Sequence, residues 1–115
     1  MDDTPNIVKE VRKSETATVV ALSGDVDLHH APTLHATLVD IANGRPKRLI
    51  VNLEEVPYMD SSGVGTLVEI LRRVTAYKGT MALVGLNPRV RSVFEITKLD
   101  KFFTICDTEQ EALDT

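Results

Sequence analysis

Residues 49–66 read LIVNLEEVPYMDSSGVGT. Leu49-Ile50-Val51, continued by Leu53, forms the unbroken apolar run of a strand buried on both faces. Beyond the motif, Val64, Leu67, Val68, Leu71 and Val74 recur at helical spacing, with Thr66, Glu69, Arg72 and Arg73 on other faces and Gly79 as the stop. A buried strand that feeds a helix through a short polar loop is half of a strand-helix-strand unit, so this stretch sets the fold class. Tyr58 and Met59 are expected to pack at the strand end.

The flanking sequence extends the same pattern. Upstream, 7–12 (IVKEVR) and 16–23 (TATVVALS) are β-prone and are separated by a short polar KSE, which predicts a hairpin. In 24–44 (GDVDLHHAPTLHATLVDIANG), Pro32 suits a first helical turn, Leu34, Leu38, Ile41 and Ala42 share a face, and Gly44 is a C-terminal stop. Downstream, 80–85 (TMALVG) is a second buried strand. Residues 87–96 (NPRVRSVFEI) form a short helix with Asn87 as cap and Pro88 at its first position. FFTIC at 102–106 is a last strand, and Thr108 with Glu111 makes the capping-box spacing of a terminal helix. Strands alternating with helices imply an α/β sheet with parallel neighbours and right-handed crossovers, made mixed by the opening hairpin.

Composition narrows the class of function. The chain has 115 residues, 43% hydrophobic and 26% charged, which is one ordinary globular domain covering 1–115, with an ordered core at about 7–113. A net charge of −4 argues against a nucleic-acid binder, and the basic residues are scattered among acids. The lone Cys106 has no partner for an internal disulfide and reads as a small core residue. No metal-ligand spacing occurs, and His29 and His30 are expected at the start of a helix or on the surface; no metal and no cofactor are expected. The acidic N-terminus lacks a signal-peptide layout and no apolar run is long enough for a membrane span, so a cytoplasmic protein is expected; its size and lack of an obvious exposed apolar stripe point to a monomer when free.

The stretch 58–66 (YMDSSGVGT) admits four readings. As a hydrolase elbow it has Met59 where a glycine belongs, and His29, His30 and His35 all precede Ser61. As a phosphate cradle, Gly63-Val64-Gly65 lacks the third glycine of a dinucleotide fingerprint and the Lys-Ser/Thr of a P-loop. As a helix cap, Asp60, Ser61 or Ser62 would contribute about 1 kcal/mol. Each glycine inside the helix would cost about 0.5–1 kcal/mol relative to alanine, which suggests that bare backbone is wanted at the surface there. As a modified serine, Ser61 would gain about −1.5 to −2 charge where helix N–H groups and the helix dipole favour it. The fold would survive, and only docking would change.

The chain resembles the stand-alone STAS domain proteins, the bacterial anti-sigma factor antagonists. The motif Asp-Ser-Ser/Thr-Gly-Leu-Gly appears as Asp60-Ser61-Ser62-Gly63-Val64-Gly65, with Val64 a mild departure. LSGDVDLHHAPTL at 22–34 is similar to the family's Leu-x-Gly-Glu-Leu-Asp segment, with Asp25 where glutamate is common and Asp27 on the family aspartate. LNPRVRSVFEITKLDKFF at 86–103 is similar to its third-helix segment.

The resemblance implies a mixed sheet of about four or five strands with helices mainly on one side. It also implies a non-enzymatic partner switch. The unphosphorylated protein would bind an anti-sigma factor that is also a serine kinase and so free a sigma factor. Phosphorylation of Ser61 would end binding, and a PP2C-type phosphatase would reset the switch. Partner-binding residues would be Asp25, Asp27, Asp60, Ser61, Ser62, Gly63 and Gly65, with Ser62 favoured as the helix cap and Ser61 as the exposed hydroxyl. Stand-alone members also serve as subunits of lipid-transport ATPases or stressosome-like assemblies, which is the alternative reading.

Overall fold

Alternation along β3 (Arg48–Glu55) shows how the molecule is layered. Leu49, Val51 and Leu53 turn to one face and join the main core, while Ile50 turns to the other and joins a smaller cluster. The computed structural model describes residues 6–115. Around β3 the sheet runs in the order β1-β2-β3-β4-β5, with β1 at Val8–Lys13, β2 at Thr18–Ser23, β4 at Thr80–Val84 and β5 at Thr104–Cys106. The β1–β2 hairpin is antiparallel and the other three pairings are parallel, as the alternating elements require.

Three helices cover one face: α1 (Ala31–Asn43), α2 (Ser61–Ala76) and α3 (Pro88–Ile96). Leu34 and Leu38 of α1, Leu67 and Ile70 of α2, and Val90 and Phe94 of α3 all meet the sheet in the main core. The other face is covered by α4 (Glu109–Leu113), whose Ala112 packs on Val19, Ile50, Ala82 and Val84. Cys106, expected in the core, is half-buried at the edge of this second cluster. Glu109 fastens α4 there: it accepts two hydrogen bonds from Arg12 on β1, at 3.0 and 2.8 Å, and one from Asn52 on β3 at 2.6 Å.

Several expectations shift in detail. The buried face of α2 comprises Gly63, Val64, Thr66, Leu67, Ile70 and Val74, so Val68 and Leu71 sit at its margin, half-buried. Thr66, expected on an outer face, is buried, and its hydroxyl is satisfied there by the Ser62 carbonyl at 3.0 Å. The predicted last strand loses its two aromatics: Phe103 turns into the core edge-on to Phe94, with centroids 5.5 Å apart, and Phe102 is 70% exposed beside a 3-10 turn at Leu99–Lys101. Both predicted glycine stops lie at helix ends, but the left-handed residues there are Arg45 (φ 54) and Lys78 (φ 69). Gly79 is instead needed for space, since a Cβ would stand 2.6 Å from the Tyr77 ring.

Candidate functional site

In an open α/β sheet the loops leaving the carboxyl ends of the parallel strands gather at one edge, where ligands and partners dock. Here those loops are sewn together by backbone. Gly24 N–H donates to the Glu55 carbonyl (3.0 Å), Val26 N–H to Tyr58 (2.9 Å) and Asp60 N–H to Val26 (3.1 Å). The last two form an isolated parallel bridge, Val26 with Met59, beyond the end of the β2–β3 pairing. Asn87 adds the third loop. Its Oδ1 caps α3 by accepting Val90 N–H at 2.8 Å, and its Nδ2 donates to the Val56 carbonyl at 3.1 Å.

Asp60 is the joint of this surface. It is the N-cap of α2, in extended conformation, and Oδ1 accepts the N–H groups of Ser62 (2.9 Å) and Gly63 (3.3 Å). The same oxygen accepts the Ser62 hydroxyl, while Oδ2 accepts Leu28 N–H at 3.1 Å from the neighbouring loop. The cap is therefore Asp60, and the expectation that favoured Ser62 is corrected. Aspartate caps as well as serine, and here it reaches two donors of the first turn plus a second loop. The Ser62 hydroxyl foremost, opposed by partial desolvation and then aided by the Gly63, Ser62 and Leu28 N–H groups, holds the Asp60 carboxyl below the usual range.

Ser61 opens α2 and is exposed, and its hydroxyl makes no hydrogen bond among the described residues. Gly63 is buried: a Cβ there would meet Val26 Cγ1 at 2.6 Å and the Val26 carbonyl oxygen at 2.9 Å. The expectation that both glycines bare the surface holds for Gly65, which is exposed with nothing within 4 Å, and fails for Gly63, which lets the 24–30 loop lie on the helix.

Asp25 is exposed on that loop. Asp27 is half-buried and turns the chain into α1, with Oδ1 accepting His30 N–H at 3.0 Å and contacting His30 Nδ1 at 2.8 Å. Desolvation pushes the Asp27 carboxyl up, yet the His30 hydrogen bonds prevail and hold it low. The chain neighbour of Asp27, Leu28, donates its N–H to Asp60 Oδ2, which sets the loop carrying Asp27 against the α2 cap. The structure thus brings Asp27, Asp60, Ser61, Ser62 and Gly63 together, with Asp25 and Gly65 on the rim.

Other residues of this surface escaped the sequence reading. Leu28 is 75% exposed in the middle of the polar loop, a large apolar side chain between acid and histidine. Arg89 of α3 lies over the Tyr58 ring, 5.2 Å from its centroid. Leu28 was visible as an apolar residue out of pattern; the Arg89–Tyr58 pair depends on loop packing and left no local signal.

No serine–histidine pair of the hydrolase kind occurs among the described residues. His30 is bound to Asp27 and His35 to Glu69 across α1 and α2, and neither serine hydroxyl meets a histidine among the described residues. No group of three or more potential metal ligands occurs among the described residues. No helix among them is long and apolar enough to cross a membrane.

The sheet order, the helices on one face and the capped serine motif define a small α/β domain with one exposed loop surface. The STAS domain family profile matches residues 8–112, and the chain belongs to that family. It is 33% identical over 100 residues to the anti-sigma-B factor antagonist of Bacillus subtilis (strain 168), covering 87% of this chain and 91% of that one. An anti-sigma factor antagonist from Mycobacterium paratuberculosis superposes with a TM-score of 0.86 at 26% identity, covering 96% and 95% of the two chains. The Bacillus cell fate determinant SpoIIAA in its phosphorylated form superposes at 0.72 with 29% identity, covering 91% and 96%.

Proposed function

We propose that this protein is an anti-sigma factor antagonist of the partner-switching kind. The unphosphorylated form binds an anti-sigma factor that is also a serine kinase and thereby releases a sigma factor. That kinase transfers phosphate from ATP to Ser61, which ends the binding, and a PP2C-type phosphatase removes it. The role is regulatory and cytoplasmic, the free protein is a monomer, and Asp25, Asp27, Asp60, Ser61, Ser62, Gly63 and Gly65 form the docking surface.

One observation carries the reading: an exposed Ser61 hydroxyl, unbonded among the described residues, at the first position of a helix capped by Asp60 and beside the loop that carries Asp25 and Asp27. A phosphate there is compatible with the fold because Ser61 is exposed and the positive end of the helix dipole favours an anion. It is incompatible with a close interface because a doubly charged group would be desolvated without a partner, near two carboxylates. A penalty of only about 3 kcal/mol weakens binding more than 100-fold.

Phosphopeptide mass spectrometry after incubation with ATP and the cognate kinase tests the chemistry. The expected result is one phosphate on Ser61 that Ser61→Ala abolishes. A kinase that is active yet leaves the wild type unmodified would overturn the reading and favour a STAS subunit working without phosphorylation.

A further inference from the structure

The motif offers two adjacent serines, and the fold treats them differently. Ser62 is half-buried, and its hydroxyl donates to Asp60 Oδ1. That carboxylate is held from both sides: Oδ1 by the Ser62 and Gly63 N–H groups, Oδ2 by Leu28 N–H at 3.1 Å. It has no freedom to swing away from Ser62 without breaking the cap of α2 and the tie to the 24–30 loop. Ser61 carries no such bond among the described residues and faces solvent.

We infer that Asp60 is a positioning residue that decides which serine accepts phosphate, by holding the Ser62 hydroxyl and leaving Ser61 as the sole acceptor. The inference rests on the proposed phosphorylation of this motif. In the transfer, the acceptor Oγ bonds to the γ-phosphorus of kinase-bound ATP. The bond from that phosphorus to the bridging oxygen breaks, its electron pair leaves on ADP, and the hydroxyl proton passes to a base of the kinase. Ser61 Oγ is exposed and holds no hydrogen bond among the described residues that it would have to give up.

Ser62 would have to give up a charge-assisted hydrogen bond and present its oxygen to an anionic γ-phosphate from beside the Asp60 carboxylate. Asp60 does not activate Ser62 as a base would, because the bonds it accepts keep its carboxyl acidic. The pairing therefore immobilises the hydroxyl.

The test compares wild type, Ser61→Ala, Asp60→Asn and Asp60→Ala, each with ATP and the cognate kinase, by phosphopeptide mass spectrometry that separates the two serines. Wild type is expected to carry phosphate on Ser61 alone and Ser61→Ala to carry none. Asp60→Ala is expected to raise phosphate on Ser62 at least about tenfold, the factor that one hydrogen bond to a charged group supports. Asp60→Asn keeps a good helix cap but not the charge, so it falls between the two. Ser62 phosphorylation in Ser61→Ala with Asp60 intact would overturn the inference, as would exclusive use of Ser61 in Asp60→Ala.

Amide exchange of the unmodified proteins tests the hold without the kinase. The Leu28, Ser62 and Gly63 amides are expected to exchange at least about tenfold faster in Asp60→Ala. Unchanged rates would overturn the inference even if wild type takes phosphate on Ser61. A wild type that takes no phosphate from an active kinase overturns the proposed function, whatever the exchange rates are.

Discussion

A Cβ added at Gly63 would stand 2.6 Å from Val26 Cγ1, whereas one added at Gly65 meets nothing within 4 Å. Two glycines of one motif thus answer different demands. Gly63→Ala forces the 24–30 loop off the first turn of α2 and is expected to destabilise the protein by about 1–3 kcal/mol, the cost of overpacking, read as a lower denaturant midpoint. Gly65→Ala is expected to raise stability by about 0.5–1 kcal/mol through helix propensity. It should nevertheless weaken partner binding, because it puts a methyl group on the proposed docking surface; a binding titration beside a melt separates the two effects. At this scale the sequence was only partly readable. Asp60, Ser61 and Ser62 are all good capping residues, so their order along the helix end could not be resolved locally. The tie from Leu28 to Asp60 joins residues far apart in the chain.

The elements themselves were legible where one physical signal dominated. The apolar run of β3, the Pro32 and Pro88 helix starts and the Asn87 and Thr108 caps all stand where pattern and propensity agree. Reading failed where signals competed. Along α2 the apolar residues cover a wide arc, so the stripe through Val68 and Leu71 passes over Ile70, which is fully buried. FFTIC is β-prone throughout, yet only Thr104–Cys106 finds a strand partner in β4.

The short helix α4 depends on a clamp that no local pattern reveals, Arg12 and Asn52 converging on Glu109. Arg12 is half-exposed, so solvent screening weakens that pair. Arg12→Ala is expected to speed amide exchange in 109–113 while leaving the α2 amides unchanged. Equal acceleration in both helices would show that α4 does not open independently of the main core.

Across the whole molecule the depressed carboxylates set an acid limit. Glu109 is held low by Arg12 first, against partial desolvation, and Glu69 by the His35 hydrogen bond, while Asp60 is held low by its donors. Each binds its proton more weakly folded than unfolded. The stability they provide is therefore present above the unfolded values of about 3.9–4.3 and is lost as pH falls through the folded ones. Denaturant midpoints are expected to hold from pH 7 to 5 and to drop steadily below about pH 4. The drop should be shallower in Asp60→Asn, and an identical acid limb in that variant would contradict the role given to Asp60.

The same charge distribution underlies the proposed switch, in which a folded, phosphorylated protein no longer fits its partner. The most direct measurement is the affinity of the cognate anti-sigma factor kinase for two homogeneous forms, unmodified and phosphorylated on Ser61, by calorimetry with the fold of each checked by circular dichroism. The account predicts superimposable spectra and a loss of more than about 100-fold in affinity on phosphorylation. Equal affinity of the two folded forms would contradict it.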